Sequence, residues 1–252
     1  MLDGIITGYE ESFDFPRRAW PPRQTYMLAS VPRAGSTWLS HHLWQCGCLG
    51  APLEYLNFEP GGPYGAAHAD PAAQIGLWRR ALAARTSPND VFGIKTFPGQ
   101  LHQLQQTNPV LVDEVMRFLL GGQSGRKVVQ LRRRDRDAHA ISYARALLSG
   151  IWRQEQEKGG REEPEYSAVA VERASRMIEQ QEAAWQDMYR DLRIEPLVLW
   201  FEDALADPAG TLRQVADYLG VAIDPAAVVD VPPIKKQSQD GARRWAQGHA
   251  GG

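Results

Sequence analysis

Short apolar runs and stretches of helical periodicity alternate along the chain. TYMLAS (a short apolar run), VFGIKT, RKVVQLR and PLVLWFEDAL each read as strands, RKVVQLR of the buried kind. The first covers about Tyr26 to Val31 and the second Val91 to Thr96. Between them, apolar residues recur at helical spacing from about Ser36 to Cys46 and in AAQIGLWRRALAAR from about Asp70. LVDEVMRFLL predicts a short helix ending at Gly121 and Gly122, and DAHAISYARALLSG a helix directly after the third strand. Glu165 to Asp191 predicts a long helix with Val169, Ile178, Trp185 and Met188 facing inward. DPAGTLRQVADYLG predicts a last helix, with Asp207 as N-cap, Pro208 in the first turn and Gly220 closing it. Strands alternating with helices imply an α/β fold, a mainly parallel sheet flanked by helices. Residues 1–24, rich in Pro, Arg and aromatics, read as an irregular arm. Residues 25–245 read as one domain and 246–252 as a disordered tail.

The chain's 252 residues are ample for a buried core. Its net charge of −2 gives no bulk attraction to nucleic acid or an anionic membrane. No apolar run is long enough to span a bilayer, and the first residues, with Glu10, Glu11 and Asp14, lack the pattern of a secretion signal. Cys46 and Cys48 have the wrong spacing for a zinc or redox pair and read as small thiols in a reducing, cytoplasmic setting.

The candidate chemistry lies first in SVPRAGSTW. Strand, tight loop, helix aims backbone N–H groups and a helix dipole at an anion. Gly35-Ser36-Thr37 stands where nucleotide hydrolases have Gly-Lys-Ser/Thr, so the lysine is missing and Arg33 supplies the charge from the loop's entrance. Without that lysine the usual Mg²⁺-triphosphate arrangement is not specified. The loop suits a single terminal anion, and the plain alternative is a helix N-terminus capped by Ser36. A second basic site follows the third strand, where Arg126, Lys127, Arg132, Arg133, Arg134 and Arg136 crowd one stretch, with Ser142 on the next helix. Ligands of open α/β sheets bind at the carboxyl ends of strands. Two separated anion sites point to a nucleoside with phosphates at both ends.

At this point the residues resemble a family. PRAGSTW looks like the 5′-phosphosulfate loop of the sulfotransferases that use 3′-phosphoadenosine 5′-phosphosulfate, a P-loop-type fold. LRRRDRDAHAIS looks like their 3′-phosphate site in the form of the bacterial trehalose 2-sulfotransferase-like group. VLWFEDALADPAGTLRQVADYLGV resembles a shared strand-helix segment, with Phe201 in place of its tyrosine. GAPLEYLN and KKQSQDGARRW resemble two further segments of that group. The resemblance runs from about residue 25 to 245.

It implies transfer of a sulfuryl group to a hydroxyl of a carbohydrate-like or other small acceptor, without a metal, leaving adenosine 3′,5′-bisphosphate. Arg33, Ala34, Gly35, Ser36, Thr37 and Trp38 would hold the 5′ end of the donor. Arg133 and Ser142 would hold the 3′-phosphate, with Arg132 and Arg134 as rivals of Arg133, and Lys236 and Gln237 belong to the C-terminal donor segment. Arg33 would neutralise the leaving phosphate and Lys95 would face the sulfuryl group. Cytosolic eukaryotic sulfotransferases use the histidine of a Lys-Thr-His segment as base, but here Phe97 follows Lys95-Thr96. Glu54 matches the glutamate proposed as base in the trehalose enzyme's group, while a second glutamate of that segment is replaced by Ala51. His68 and His102 are rival bases, and His41 and His42 read as structural. Glu202 and Asp203 read as partners of loop arginines or caps of the next turn. Trp78, Trp152 and Trp185 are candidates for an acceptor-pocket wall, Trp152 the best of them, with core packing the commoner role for each. Homodimerisation follows from the resemblance alone. Two other functions remain open, an ATP-dependent small-molecule kinase and a non-catalytic nucleotide-binding relative.

Overall fold

The computed structural model describes residues 6–16, 21–121, 125–152, 163–234 and 239–250. Its sheet has four strands, β1 (Gln24–Ala29), β2 (Val91–Thr96), β3 (Val128–Arg132) and β4 (Leu197–Trp200), in the order β2-β1-β3-β4. All three pairings are parallel. The central strand β1 and its neighbour β2 are buried almost throughout, which is why their sequences are mostly apolar.

Alternate residues divide two cores. Met27, Ala29, Phe92, Ile94 and Val128 face one side. There they meet α2 (Pro71–Arg85), α4 (Pro109–Leu120) and the long α6 (Ala168–Leu192). Tyr26, Leu28, Val129, Leu131 and Leu199 face the other, against α1 (Ser36–Gln45) and α8 (Pro208–Leu219). At Gly93 a side chain would run into the Tyr26 ring, whose hydroxyl donates to Leu49 O at 2.9 Å. Asp207 caps its helix as the sequence predicts, and four further caps join it. The side chains of Asp70, Asn108, Asp135, Ser167 and Asp207 accept first-turn N–H groups of α2, α4, α5 (Arg136–Ser149), α6 and α8. Each such cap contributes about 1 kcal/mol.

The structure corrects several expectations. β1 runs two residues earlier than read. PLVLWFEDAL is not one strand: it leaves the sheet after Trp200 and continues as α7 (Phe201–Ala206). Helix α3 (Pro98–Thr107) forms where the sequence pattern predicts no element. Val169 faces solvent, 73% exposed, because it lies in the first turn of α6 on the side away from Val171. Helix α9 (Gln239–Ala250) extends into the stretch read as a tail, and Trp245 within it is buried with its Nε1 donating to Pro164 O at 3.0 Å. Among the described residues, no helix is long and apolar enough to cross a membrane.

Candidate active site

The chain steps from β1 to β2 on one side and later to β3 on the other. A crevice therefore opens at the carboxyl ends of β1 and β3, where the order diverges. A cavity of about 1370 Å³ lies there. Its wall includes Arg33, Gly35, Ser36, Thr37, Trp38, Glu54, Arg133 and Ser142. Two expected residues are not on that wall. Ala34 is buried, and its N–H donates to Val31 O at 3.2 Å. Lys95 is also buried, behind the wall. Lys236 and Gln237 lie outside the described residues.

The loop after β1 is bent by two left-handed residues, Arg33 (φ 71) and Gly35 (φ 90). Such a conformation costs an arginine roughly 1–2 kcal/mol, so other contacts must hold it. His139 Nε2 meets Pro32 O at 2.8 Å, and Arg133 Nη1 donates to Arg33 O at 3.4 Å. The Arg33 side chain donates from Nε to Ser142 Oγ at 3.1 Å and from Nη1 to Trp152 O at 2.9 Å. Gly35 occupies the N-cap of α1, with no side-chain cap, and a Cβ there would strike the Phe201 ring. Ser36 is the first residue of the helix, not its cap.

His139 is fully buried, and burial pushes its imidazole down to about 4, with the Arg133 and Arg136 charges adding to the effect against the Pro32 carbonyl and Glu182. Nε2 therefore carries the proton it gives to Pro32 O. In the unfolded chain the same group titrates near pH 6.5. Below that pH the unfolded chain takes up a proton that folded His139 refuses, so its contribution falls from about pH 6.5 to 4, by at most about 1.4 kcal/mol per pH unit. In His139→Gln this component should be gone. Urea midpoints of both proteins across that range check it, and parallel curves contradict it.

The three consecutive arginines part ways. Arg132 donates to Glu182 Oε2 at 2.8 Å, and Arg136 chelates the same carboxylate at 2.8 Å through both of its terminal nitrogens. These bonds bring the Glu182 carboxyl below its usual range although burial opposes them. Arg134 pairs with Asp203 and is held charged by that bond. Arg133 alone of the three lines the cavity. Its buried Nε has no hydrogen-bond partner among the described residues, Glu202 Oε1 being 4.0 Å away. Burial pushes its guanidinium down. Glu202 instead accepts the N–H groups of Arg134 and Asp135, so both acids after β4 fix the loop after β3.

Across the cavity, a parallel bridge between Leu53 and Ile94 attaches the segment after α1 to β2. Lys95 N donates to Leu53 O at 3.0 Å, which sets Glu54 beside Lys95. Lys95 Nζ then lies 2.8 Å from Glu54 Oε1 and donates to Thr37 Oγ1 at 2.9 Å. Asn57 and Gln100 donate to Glu54 Oε2 at 2.8 and 3.2 Å. His68, bonded to Phe58 O, and His102, beside Gln106, are not on the cavity wall. Trp152 is on it, whereas Trp78 and Trp185 are buried core. Tyr9, Asn57, Gln100 and His139 join the site without a motif of their own in the sequence. Tyr9, Gln100 and His139 act through partners distant along the chain, which leaves no local pattern, whereas Asn57 reaches Glu54 only three residues before it. Among the described residues no group of three His, Cys, Asp or Glu is placed to hold a metal ion.

A parallel α/β sheet with an anion-type loop after its central strand, an arginine after the next and a carboxylate across the cavity has the parts of a group-transfer enzyme. The model of the Stf0 sulphotransferase family matches residues 25–250, and the chain belongs to that family. It is 22% identical over 250 residues to trehalose 2-sulfotransferase of Mycobacterium tuberculosis (strain ATCC 35801 / TMC 107 / Erdman), covering 87% of this chain and 92% of the relative. It is 23% identical over 258 residues to trehalose 2-sulfotransferase of Mycolicibacterium smegmatis (strain ATCC 700084 / mc(2)155), covering 88% and 92%. Among solved structures, a sulfotransferase domain from the curacin biosynthetic pathway aligns with a TM-score of 0.46 at 14% identity, over 92% of this chain and 99% of that one. A sulfotransferase from Alicyclobacillus acidocaldarius aligns with a TM-score of 0.45 at 16% identity, over 84% and 87%.

Proposed function

We propose that this sulfotransferase moves a sulfuryl group from 3′-phosphoadenosine 5′-phosphosulfate to a hydroxyl of a carbohydrate-like acceptor, without a metal and with Glu54 as base. The observation that carries this reading is the position of Lys95, whose Nζ touches both Thr37 Oγ1 and Glu54 Oε1. One ammonium thus separates the loop assigned to the donor from the carboxylate assigned to the acceptor. Glu54 takes the proton of the acceptor hydroxyl as its oxygen forms a bond to sulfur and the bond from sulfur to the 5′-phosphate oxygen breaks. The first turn of α1 receives the charge that builds on that phosphate, and Arg33 joins it once its side chain turns from Ser142 and Trp152 O.

The donor fits the residues present. Gly35, Ser36 and Thr37 stand at a helix N-terminus, and Arg133 offers a buried Nε with no hydrogen-bond partner among the described residues. Near Glu54, the amides of Asn57 and Gln100 and the rings of Tyr9 and Phe97 line the cavity, a mixture suited to a polyol with apolar faces. Cys46 and Cys48, buried and unbridged, are consistent with a cytoplasmic setting.

Calorimetric titration tests the donor assignment. Adenosine 3′,5′-bisphosphate should bind in EDTA, at least about 10-fold more tightly than ATP with Mg²⁺. The reverse preference would make the chain a kinase. Labelled-donor transfer to a sugar panel including trehalose then tests turnover, and binding without transfer to any acceptor would favour a non-catalytic relative.

A further inference from the structure

We infer that the N-terminal arm is part of the acceptor site, with Tyr9 positioning Glu54 and Ile6 and Thr7 helping to select the acceptor. The inference rests on the reading of Glu54 as base. Ile6, Thr7 and Tyr9 line the same cavity as Glu54, yet the family match begins only at residue 25. This wall lies outside the segment that the family model matches.

The arm is fixed in place. Glu10 folds it by accepting from Thr7 N, Thr7 Oγ1 and Gly8 N at 2.7 to 2.9 Å. Arg85, only 3% exposed, clamps it to α2. Its guanidinium donates to Gly8 O, Glu10 O and Phe13 O at 2.8, 2.9 and 3.3 Å, and its Nε lies 3.0 Å from Asp14 Oδ1. A buried guanidinium satisfied by one segment ties that segment firmly, since displacing it would strand the charge.

Tyr9 carries this rigidity to the site. Its ring packs edge-on against Tyr55 and Tyr64. Its hydroxyl accepts the backbone N–H of Glu54 at 2.9 Å. The candidate base is thus held at its backbone by the arm and at its carboxylate by Lys95, Asn57 and Gln100. Small displacements of a base are costly to proton transfer. The arm's two other wall residues differ in kind: Thr7 is buried, whereas Ile6 is 67% exposed at the cavity and is free to change without unfolding the arm.

Removing residues 1–16 would strand Arg85 and is a poor test. Tyr9→Phe and Ile6→Asp keep the clamp. In Tyr9→Phe, adenosine 3′,5′-bisphosphate affinity should stay within about 2-fold of wild type. Amide hydrogen exchange in a peptide spanning residues 53–57 should rise about 10-fold, and kcat on the best acceptor of the sugar panel should fall about 10-fold with a smaller change in acceptor KM. In Ile6→Asp, the ratio of kcat/KM for p-nitrophenyl glucoside over trehalose should drop about 10-fold, because the aryl group loses apolar wall. Unchanged exchange overturns the positioning role, as does faster exchange with wild-type kcat. An unchanged acceptor ratio overturns the selecting role. If the wild type binds no bisphosphate, the proposed function fails instead. The exchange measurement still decides the Tyr9 contact, because it needs neither nucleotide nor acceptor.

Discussion

Glu54→Gln is expected to lower sulfuryl transfer by about 100-fold or more while leaving adenosine 3′,5′-bisphosphate affinity within about 2-fold. The amide matches the carboxylate in shape, and Asn57 and Gln100 are amides that turn over to meet a donor, each giving up one long bond of 3.3 Å, from Glu59 N and Thr96 Oγ1. What is lost is the proton acceptor. The buried ammonium of Lys95 also loses its ionic partner, and breaking a buried pair destabilises a fold by several kcal/mol. Glu54→Asp separates the two effects. It keeps the charge beside Lys95 but retracts the carboxylate by one methylene, so its stability should recover more than its rate. Single-turnover transfer from labelled donor, with calorimetry and a urea midpoint on each variant, reads rate, donor binding and stability independently. Wild-type transfer by Glu54→Gln would mean that the base lies elsewhere, and neither His68 nor His102 reaches the cavity wall to supply it.

Much of the scaffold behind this site is legible in the sequence, for a physical reason. β1 and β2 are covered on both faces, so their burial leaves short, mostly apolar runs, and α2, α4 and α8 carry Asp-Pro and Asn-Pro starts that satisfy first-turn N–H groups. α3 is not legible because PGQLHQLQQT buries only Leu104, and such a helix is held by α4 and α6 rather than by its own pattern. The end of β4 is hidden because Trp200 and Phe201 continue its apolar run, although the chain turns there into α7 to send Glu202 back to the N–H groups of Arg134 and Asp135. The same limit applies to the site. Glu54 stands out only by resemblance, and its backbone partner Tyr9 lies 45 residues away. His139 looks like an ordinary helix residue until Pro32 O is found against its ring.

The arginine run shows how the fold resolves what the sequence leaves open, and it sets the second large effect. Arg133→Ala should weaken adenosine 3′,5′-bisphosphate binding by about 100-fold while hardly changing affinity for adenosine 5′-phosphosulfate, which lacks the 3′-phosphate. A charge-assisted pair with phosphate contributes roughly 1.5–3 kcal/mol, the scale of that loss. Its neighbours cannot replace it, since Arg132 is committed to Glu182 and Arg134 to Asp203. Arg133→Lys should recover part of the affinity, because it restores the charge but not the fork. Arg133 also donates to Arg33 O, but at 3.4 Å that bond is weak, so its loss should disturb the 5′ loop little. The two nucleotides distinguish these roles. A loss confined to the bisphosphate fits direct contact with the 3′ group. An equal loss for both would mean that Arg133 acts by shaping the loop around Arg33, and the 3′-phosphate would have to be held by other residues.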